Sequence, residues 1–111
     1  MDCIFCKIAS GEIPSPKVME TDTYFVIRDI APQAPAHLLV IPKKHVASVA
    51  AAKEEPELLG RLLQGAALAA QKEGLSNGFR IVINTGADGG QTVHHLHLHV
   101  LGGAKLGTRM A

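Results

Sequence analysis

The chain has 111 residues, eleven Lys or Arg against ten Asp or Glu for a formal net charge of +1, and 47% apolar side chains. One domain over residues 1–111 follows, with enough apolar material for a single modest core. No apolar run approaches the ~20 residues of a membrane span. One Tyr, three Phe and no Trp also argue against a nucleic-acid surface, which combines a basic stripe with stacking aromatics.

The chain opens Met1-Asp2-Cys3-Ile4-Phe5-Cys6-Lys7, without the basic-then-apolar order of a signal peptide, so a cytoplasmic location is expected. Cys3 and Cys6 form a C-x-x-C, a spacing that in such a chain points to metal or redox chemistry, not a structural disulfide. A thioredoxin-like role needs a strand leading into the motif, and here the motif comes first. Zinc needs two further ligands, and two inert buried thiols are the plain alternative. Phe5 to Gly11 reads as a short helical turn stopped by Gly11.

Glu12 to Pro16 is extended, since each proline biases its predecessor away from the helix. Lys17–Glu20 and Tyr24–Arg28 read as a hairpin around Thr21-Asp22-Thr23. His37–Ile41, apolar at nearly every position after the histidine, is a third strand. Residues 57–73 carry Leu58, Leu59, Leu62, Leu63, Ala66, Ala69 and Ala70 at three- and four-residue spacing, an amphipathic helix with Pro56 at its start and Gly74 at its end. Gly60 and Gly65 each cost that helix roughly 1 kcal/mol against Ala, so close packing on a sheet is expected at both. Phe79–Asn84 is a fourth strand, Thr85 to Gly90 a loop, and His94–Leu101 a fifth strand. Short connections between strands imply an α+β fold with an antiparallel sheet.

Of six histidines, four lie at His94, His95, His97 and His99, and the others are His37 and His45. On a strand, His95, His97 and His99 share one face about 6.6 Å apart, while Leu96, Leu98 and Val100 face a core. Three imidazoles on one face suggest a metal site or chemistry on an anion such as phosphate. Gly89-Gly90-Gln91-Thr92 precedes them. Its glycines can expose consecutive N–H groups to phosphate oxygens, and Thr92 adds a hydroxyl; a simple hairpin turn is the alternative. A neutral imidazole can attack phosphorus to give a nucleotidyl-histidine, and the central His97 has flanking groups for the developing charge. His37 could fix the His97 tautomer if its strand lies beside the histidine strand.

These residues carry a resemblance. His95-Leu96-His97-Leu98-His99-Val100-Leu101 matches the His-φ-His-φ-His-φ-φ signature of the histidine triad superfamily. Ile4-Phe5, Arg28-Asp29-Ile30, Val40-Ile41-Pro42-Lys43-Lys44-His45, Gly89-Gly90-Gln91 and Leu101-Gly102-Gly103 resemble its Hint branch over nearly the whole chain. The resemblance implies a five-stranded antiparallel sheet with one long and one short helix, paired as a homodimer. It implies hydrolysis of purine nucleoside phosphoramidates and acyl-adenylates to a nucleoside monophosphate, with no cofactor for catalysis. By position, His97 resembles the nucleophile, His99 a phosphate ligand, and His37 the residue orienting His97. Gly90, Gln91, Asn84 and Thr92 resemble phosphate-side contacts, and Asp29 the acceptor for ribose hydroxyls. Ile4, Phe5, Ile8, Ile30 and Leu39 resemble the base pocket's walls. Thr92 stands where Hint members often carry Ser, a feature shared with the dinucleoside-polyphosphate-hydrolysing branch. Bacterial relatives with a C-x-x-C bind a structural zinc, and the matching set here is Cys3, Cys6, His45 and His95, with His94 the weaker fourth ligand. A dinucleoside polyphosphate hydrolase of the same superfamily, a zinc-dependent hydrolase and a nucleotide-binding regulatory module are the competing readings. No nucleic-acid or membrane partner is expected.

Overall fold

The computed structural model describes residues 3–108. Helix α1 spans Ile4–Ala9, strands β1, β2 and β3 span Met19–Glu20, Tyr24–Arg28 and Ala36–Pro42, and helix α2 spans Pro56–Lys72. Strands β4 and β5 follow at Phe79–Val82 and Leu98–Gly102. All pairings are antiparallel, and the sheet order is β1-β2-β3-β5-β4.

Both faces of the sheet are covered. Val26, Leu38, Val40, Leu98 and Val100 pack with Leu62, Ala66, Ala69 and Ala70 of α2. Phe25, Ile27, Leu39 and Ile41 pack on the opposite face with Cys3, Phe5 and Ile8 of α1 and its N-cap. Strand β3 therefore buries consecutive residues, which explains its unbroken apolar run. Strand β2 does the same, with Tyr24 and Val26 on the α2 side and Phe25 and Ile27 on the other.

Helix α2 starts with Pro56 in its first turn and Glu57 at its positive end; Lys72 occupies the last turn, each favourable for the helix dipole. Past its end, Gly74 takes φ +76°, the left-handed conformation that favours glycine. A bidentate pair from Arg28 to Glu73, both contacts at 2.7 Å, ties the end of β2 to this helix end. Gly65 lies against the Tyr24 ring, where an added Cβ would come within 2.6 Å of Cζ. Gly60 differs from expectation: among the described residues, nothing beyond its own helix backbone lies within 4 Å of its Cβ position, so no packing offsets its cost there. Leu63, assigned to the buried stripe by spacing, is 48% exposed.

The histidine strand also begins later than the pattern implies. Regular pairing starts at Leu98, so His95 and His97 precede the strand. The alternation survives without the ladder, because Leu96, Leu98 and Val100 all enter the α2-side core. Leu96 N–H donates to Val46 O at 2.7 Å, which draws the approach to β5 against the segment following His45.

Candidate active site and thiol–imidazole cluster

His95 has no exposed surface, and its two ring nitrogens do different things. Nε2 lies 2.8 Å from the Pro42 carbonyl, which can only accept, so Nε2 carries the proton and Nδ1 is bare. That bare nitrogen sits 3.2 Å from Cys3 Sγ, 3.6 Å from Cys6 Sγ and 3.2 Å from His45 Nδ1. Cys6 Sγ is also 3.2 Å from His45 Nδ1. All four donor atoms lie within 4.8 Å of one another.

This set fits zinc on chemical grounds. Two thiols and two imidazoles make a closed tetrahedral donor set, and the Pro42 carbonyl already fixes the His95 tautomer that leaves Nδ1 available. Burial, then the hydrogen bond and charge of Cys3, push the Cys6 thiol above its ordinary value; a cation among the four would reverse that. Cys3 and Cys6 are brought to one point by α1, where Cys3 is the N-cap and its Sγ accepts from Cys6 N–H at 3.4 Å. His94 is exposed and lies outside the cluster.

His97 is held differently. Its Nδ1 lies 2.7 Å from the backbone carbonyl of His95, so Nδ1–H donates and the Nε2 lone pair is free. The Phe5 ring meets His97 and His95 edge-on, with centroids 5.2 and 5.7 Å away. The sequence-based expectation gave the orienting role to His37. The structure places His37 against His99 instead, because His99 pairs with Leu39 in the β3–β5 register, diagonal to His37.

A chain of tautomers runs through that pair. Gln33 N–H donates to His37 Nδ1 at 3.0 Å, so the His37 proton sits on Nε2. His37 Nε2–H lies 2.8 Å from His99 Nδ1, so His99 carries its proton on Nε2. His99 is pushed down to about 4, chiefly by burial and then by the charges of His97 and His37. It is therefore a neutral donor at neutral pH. Its ring centroid is 5.0 Å from that of His97.

Asp29, His37 and His99 also form a compact group that could hold a metal ion. The tautomers oppose it. Metal on His37 Nε2 would move the proton to Nδ1, where the Gln33 N–H already points. The two clusters thus divide the work, one suited to a cation and one to an anion.

Asp29 accepts from Ala31 N–H at 2.8 Å through Oδ1, and its Oδ2 is 3.4 Å from His37 Nε2. Phe5, Ile8 and Leu39 are buried, whereas Ile4 is 49% exposed and Ile30 fully so. Phe25, Ile27 and Ile41 complete this apolar layer; sequence reading left them out because a buried strand gives no sign of which face a residue takes. Continuing the β4–β5 register past Val82–His99 sets Asn84 opposite His97. Neither Asn84 nor Thr92 has a hydrogen-bond partner among the described residues, so both keep their polar groups free.

The glycine loop departs from expectation. Gly90 N–H donates to Ala87 O and Gln91 N–H to Gly86 O, both at 3.0 Å, so neither backbone N–H is left for phosphate. The Gln91 amide is also engaged: Oε1 accepts from Gly86 N–H, and Nε2 donates to Ala47 O and Val93 O. Gln91 braces the loop against the segment after His45, and Gly90 closes a turn within it. Backbone carbonyls of His95 and Pro42 and the Gln33 N–H do the orienting, and no side-chain pattern announces them.

A fold with this sheet, these two helices and a histidine triad defines a class of proteins. The HIT domain family model matches residues 10–106, and the chain belongs to that family. It is 49% identical to a 14 kDa zinc-binding protein of Brassica juncea, over 95% of this chain and 96% of that one. It is likewise 49% identical to the adenylylsulfatase HINT1 of Arabidopsis thaliana, over 93% and 72%. The solved histidine triad protein from Clostridium difficile superposes with a TM-score of 0.94 at 46% identity, covering 99% of this chain and 97% of that one. A HIT family hydrolase from Legionella pneumophila gives 0.92 at 49% identity, covering 96% and 97%.

Proposed function

We propose that this protein is a nucleotide hydrolase that cleaves the P–N bond of purine nucleoside phosphoramidates through a covalent nucleotidyl-His97. The observation that carries the reading is the His97 Nδ1–H bond to the His95 carbonyl at 2.7 Å. It leaves Nε2 as the nucleophile and strengthens as the ring becomes cationic in the transition state.

Nε2 of His97 attacks phosphorus as the P–N bond breaks, and the amine takes up a proton as it leaves. Water then displaces His97, giving the nucleoside monophosphate and releasing a proton, so one water is consumed per cycle. His99, neutral and with its proton on Nε2, donates to a phosphate oxygen. His37 keeps His99 in that tautomer. Asn84 and Thr92 supply free polar groups on the leaving-group side. Asp29 retains lone pairs for the ribose hydroxyls, and Ile4, Phe5, Ile8, Ile30 and Leu39 bury the base. Gly90 and Gln91 shape the phosphate side by holding the loop. Exposed Ile30 and Ile4 fit surfaces that a base would cover.

The same attack suits acyl-adenylates, and a relative named an adenylylsulfatase is consistent with an adenylyl group as the unit transferred. Zinc at Cys3, Cys6, His45 and His95 is structural in this reading, as a relative named a zinc-binding protein also suggests. The chain works as a cytoplasmic homodimer. Leu63, Leu68 and Phe79 are 41–48% exposed, and β4 has one sheet neighbour among the described residues, exposed apolar side chains and an open edge suited to a second copy. No helix is long and apolar enough to cross a membrane among the described residues.

The test is turnover of adenosine 5′-phosphoramidate, an acyl-adenylate and a dinucleoside polyphosphate by wild type and His97→Ala. The phosphoramidate is expected to be cleaved by the wild type alone. Full activity in His97→Ala overturns the reading, and tight AMP binding without turnover replaces it with a binding module.

A further inference from the structure

We propose that Cys3 and Cys6 form a reversible dithiol–disulfide pair whose oxidation disorganises the His97 site. The proposal rests on the His97 chemistry above for its consequence, though not for the thiol chemistry itself. Two positions joined by one helical turn, the N-cap and the third helical residue, bring the sulfurs within 4.8 Å. Access is graded along the cluster. Cys3 is buried, Cys6 is half-buried, and His45 beside Cys6 is exposed.

That gradient suits a two-electron oxidant of the peroxide class. Cys6 attacks the peroxide to give a sulfenic acid and the first water; Cys3 then attacks that sulfur, forming the S–S bond and expelling the second water. The cysteines lose two electrons and two protons in total, and hydrogen peroxide is reduced to two waters. A thiol reductant reverses the exchange.

The consequence reaches His97 by two routes, both already in the structure. Cys3 and Cys6 are the sulfur neighbours of His95 Nδ1, and the carbonyl of that same residue holds the His97 proton. Phe5 sits between the two cysteines in sequence, and its ring packs on both His95 and His97. Closing a disulfide withdraws both sulfurs from His95 and re-forms the turn that carries Phe5. Chelation alone leaves both sulfurs free to hydrogen-bond His45 and His95.

The experiment treats the purified protein, with its metal content measured, with a few equivalents of hydrogen peroxide, and afterwards with dithiothreitol. Intact mass, released zinc, phosphoramidate turnover and the His97 Nδ1–H resonance in an imidazole-labelled sample are followed together. Expected are loss of two hydrogens, a fall in turnover of about tenfold or more, as removal of a transition-state hydrogen bond produces, and loss of the His97 resonance. Dithiothreitol should restore all of them. Cys6→Ser, and separately Cys6→Ala, should keep their own starting values under peroxide. A disulfide with unchanged His97 resonance and turnover overturns the proposal, as does equal inactivation of the Cys6 variants. If the reduced protein turns over none of the substrates, the phosphoramidase reading fails, while the mass and the His97 resonance still decide this one.

Discussion

His97 Nδ1 donates to the carbonyl of His95 at 2.7 Å, while the His95 ring enters the cluster with Cys3, Cys6 and His45. One residue therefore serves both sites, its side chain toward the donor set and its backbone toward the nucleophile. The arrangement needs the Leu96 N–H bond to Val46 O, which sets this segment before the strand ladder begins.

Replacing His37 by Ala removes the donor that fixes His99. The His99 proton is then free to exchange between ring nitrogens, and kcat is expected to fall about 10²-fold, with substrate binding changed less. Imidazole ¹⁵N spectra of His99 check the cause: a mixed tautomer in His37→Ala supports it, and an unchanged Nε2–H form contradicts it.

The depressed His99 has a defined effect on stability. Its folded value is about 4 against 6.5 when unperturbed. Between these values the unfolded chain binds the proton and the folded one does not, so stability falls as pH drops from 6.5 toward 4. Denaturant titrations at pH 7 and pH 4.5 should show a smaller loss for His99→Gln than for the wild type. Equal losses would remove His99 from this account.

Metal removal separates scaffold from chemistry. With Cys3, Cys6, His45 and His95 as a closed donor set, a chelator should lower Tm by several degrees, since a bound ligand stabilises the folded state by mass action. The kcat at a temperature well below Tm should stay within about twofold, because His97 Nε2 is no part of the set. Loss of kcat with Tm unchanged, restored by zinc, would instead indicate a catalytic metal.

Two glycines of α2 should respond oppositely. Gly65→Ala drives a Cβ into Tyr24 at 2.6 Å and should destabilise by roughly 1–3 kcal/mol. Gly60→Ala meets no described residue beyond its own helix backbone within 4 Å and should stabilise by about 0.5–1 kcal/mol through helix propensity. Urea unfolding of both variants checks the pair, and a stabilising Gly65→Ala would show that the Tyr24 ring gives way.

Much of this was legible from side-chain pattern. The long helix, the five strands in their order and the α+β antiparallel class follow from periodicity and short connections. The metal-ready set came from residue type and resemblance, and the four residues do meet. What the pattern could not show is backbone chemistry. The carbonyls of Pro42 and His95 and the N–H of Gln33 set three imidazole tautomers, and any residue could supply them. The same blindness made Gly90 and Gln91 look free for phosphate, although their N–H groups close turns within the loop. Strand adjacency is enough to set His37 beside the histidine strand, but the register gives it His99 and not His97 as its partner.

The most direct measurement is capture of the covalent intermediate. Wild-type protein is mixed with an adenosine phosphoramidate or acyl-adenylate, quenched under alkaline conditions that preserve P–N bonds, and digested for peptide mass mapping. One adenylyl group on His97 is expected, formed in the first turnover and absent from His97→Ala. Turnover with no adduct on His97, or an adduct on another residue that persists in His97→Ala, would contradict it.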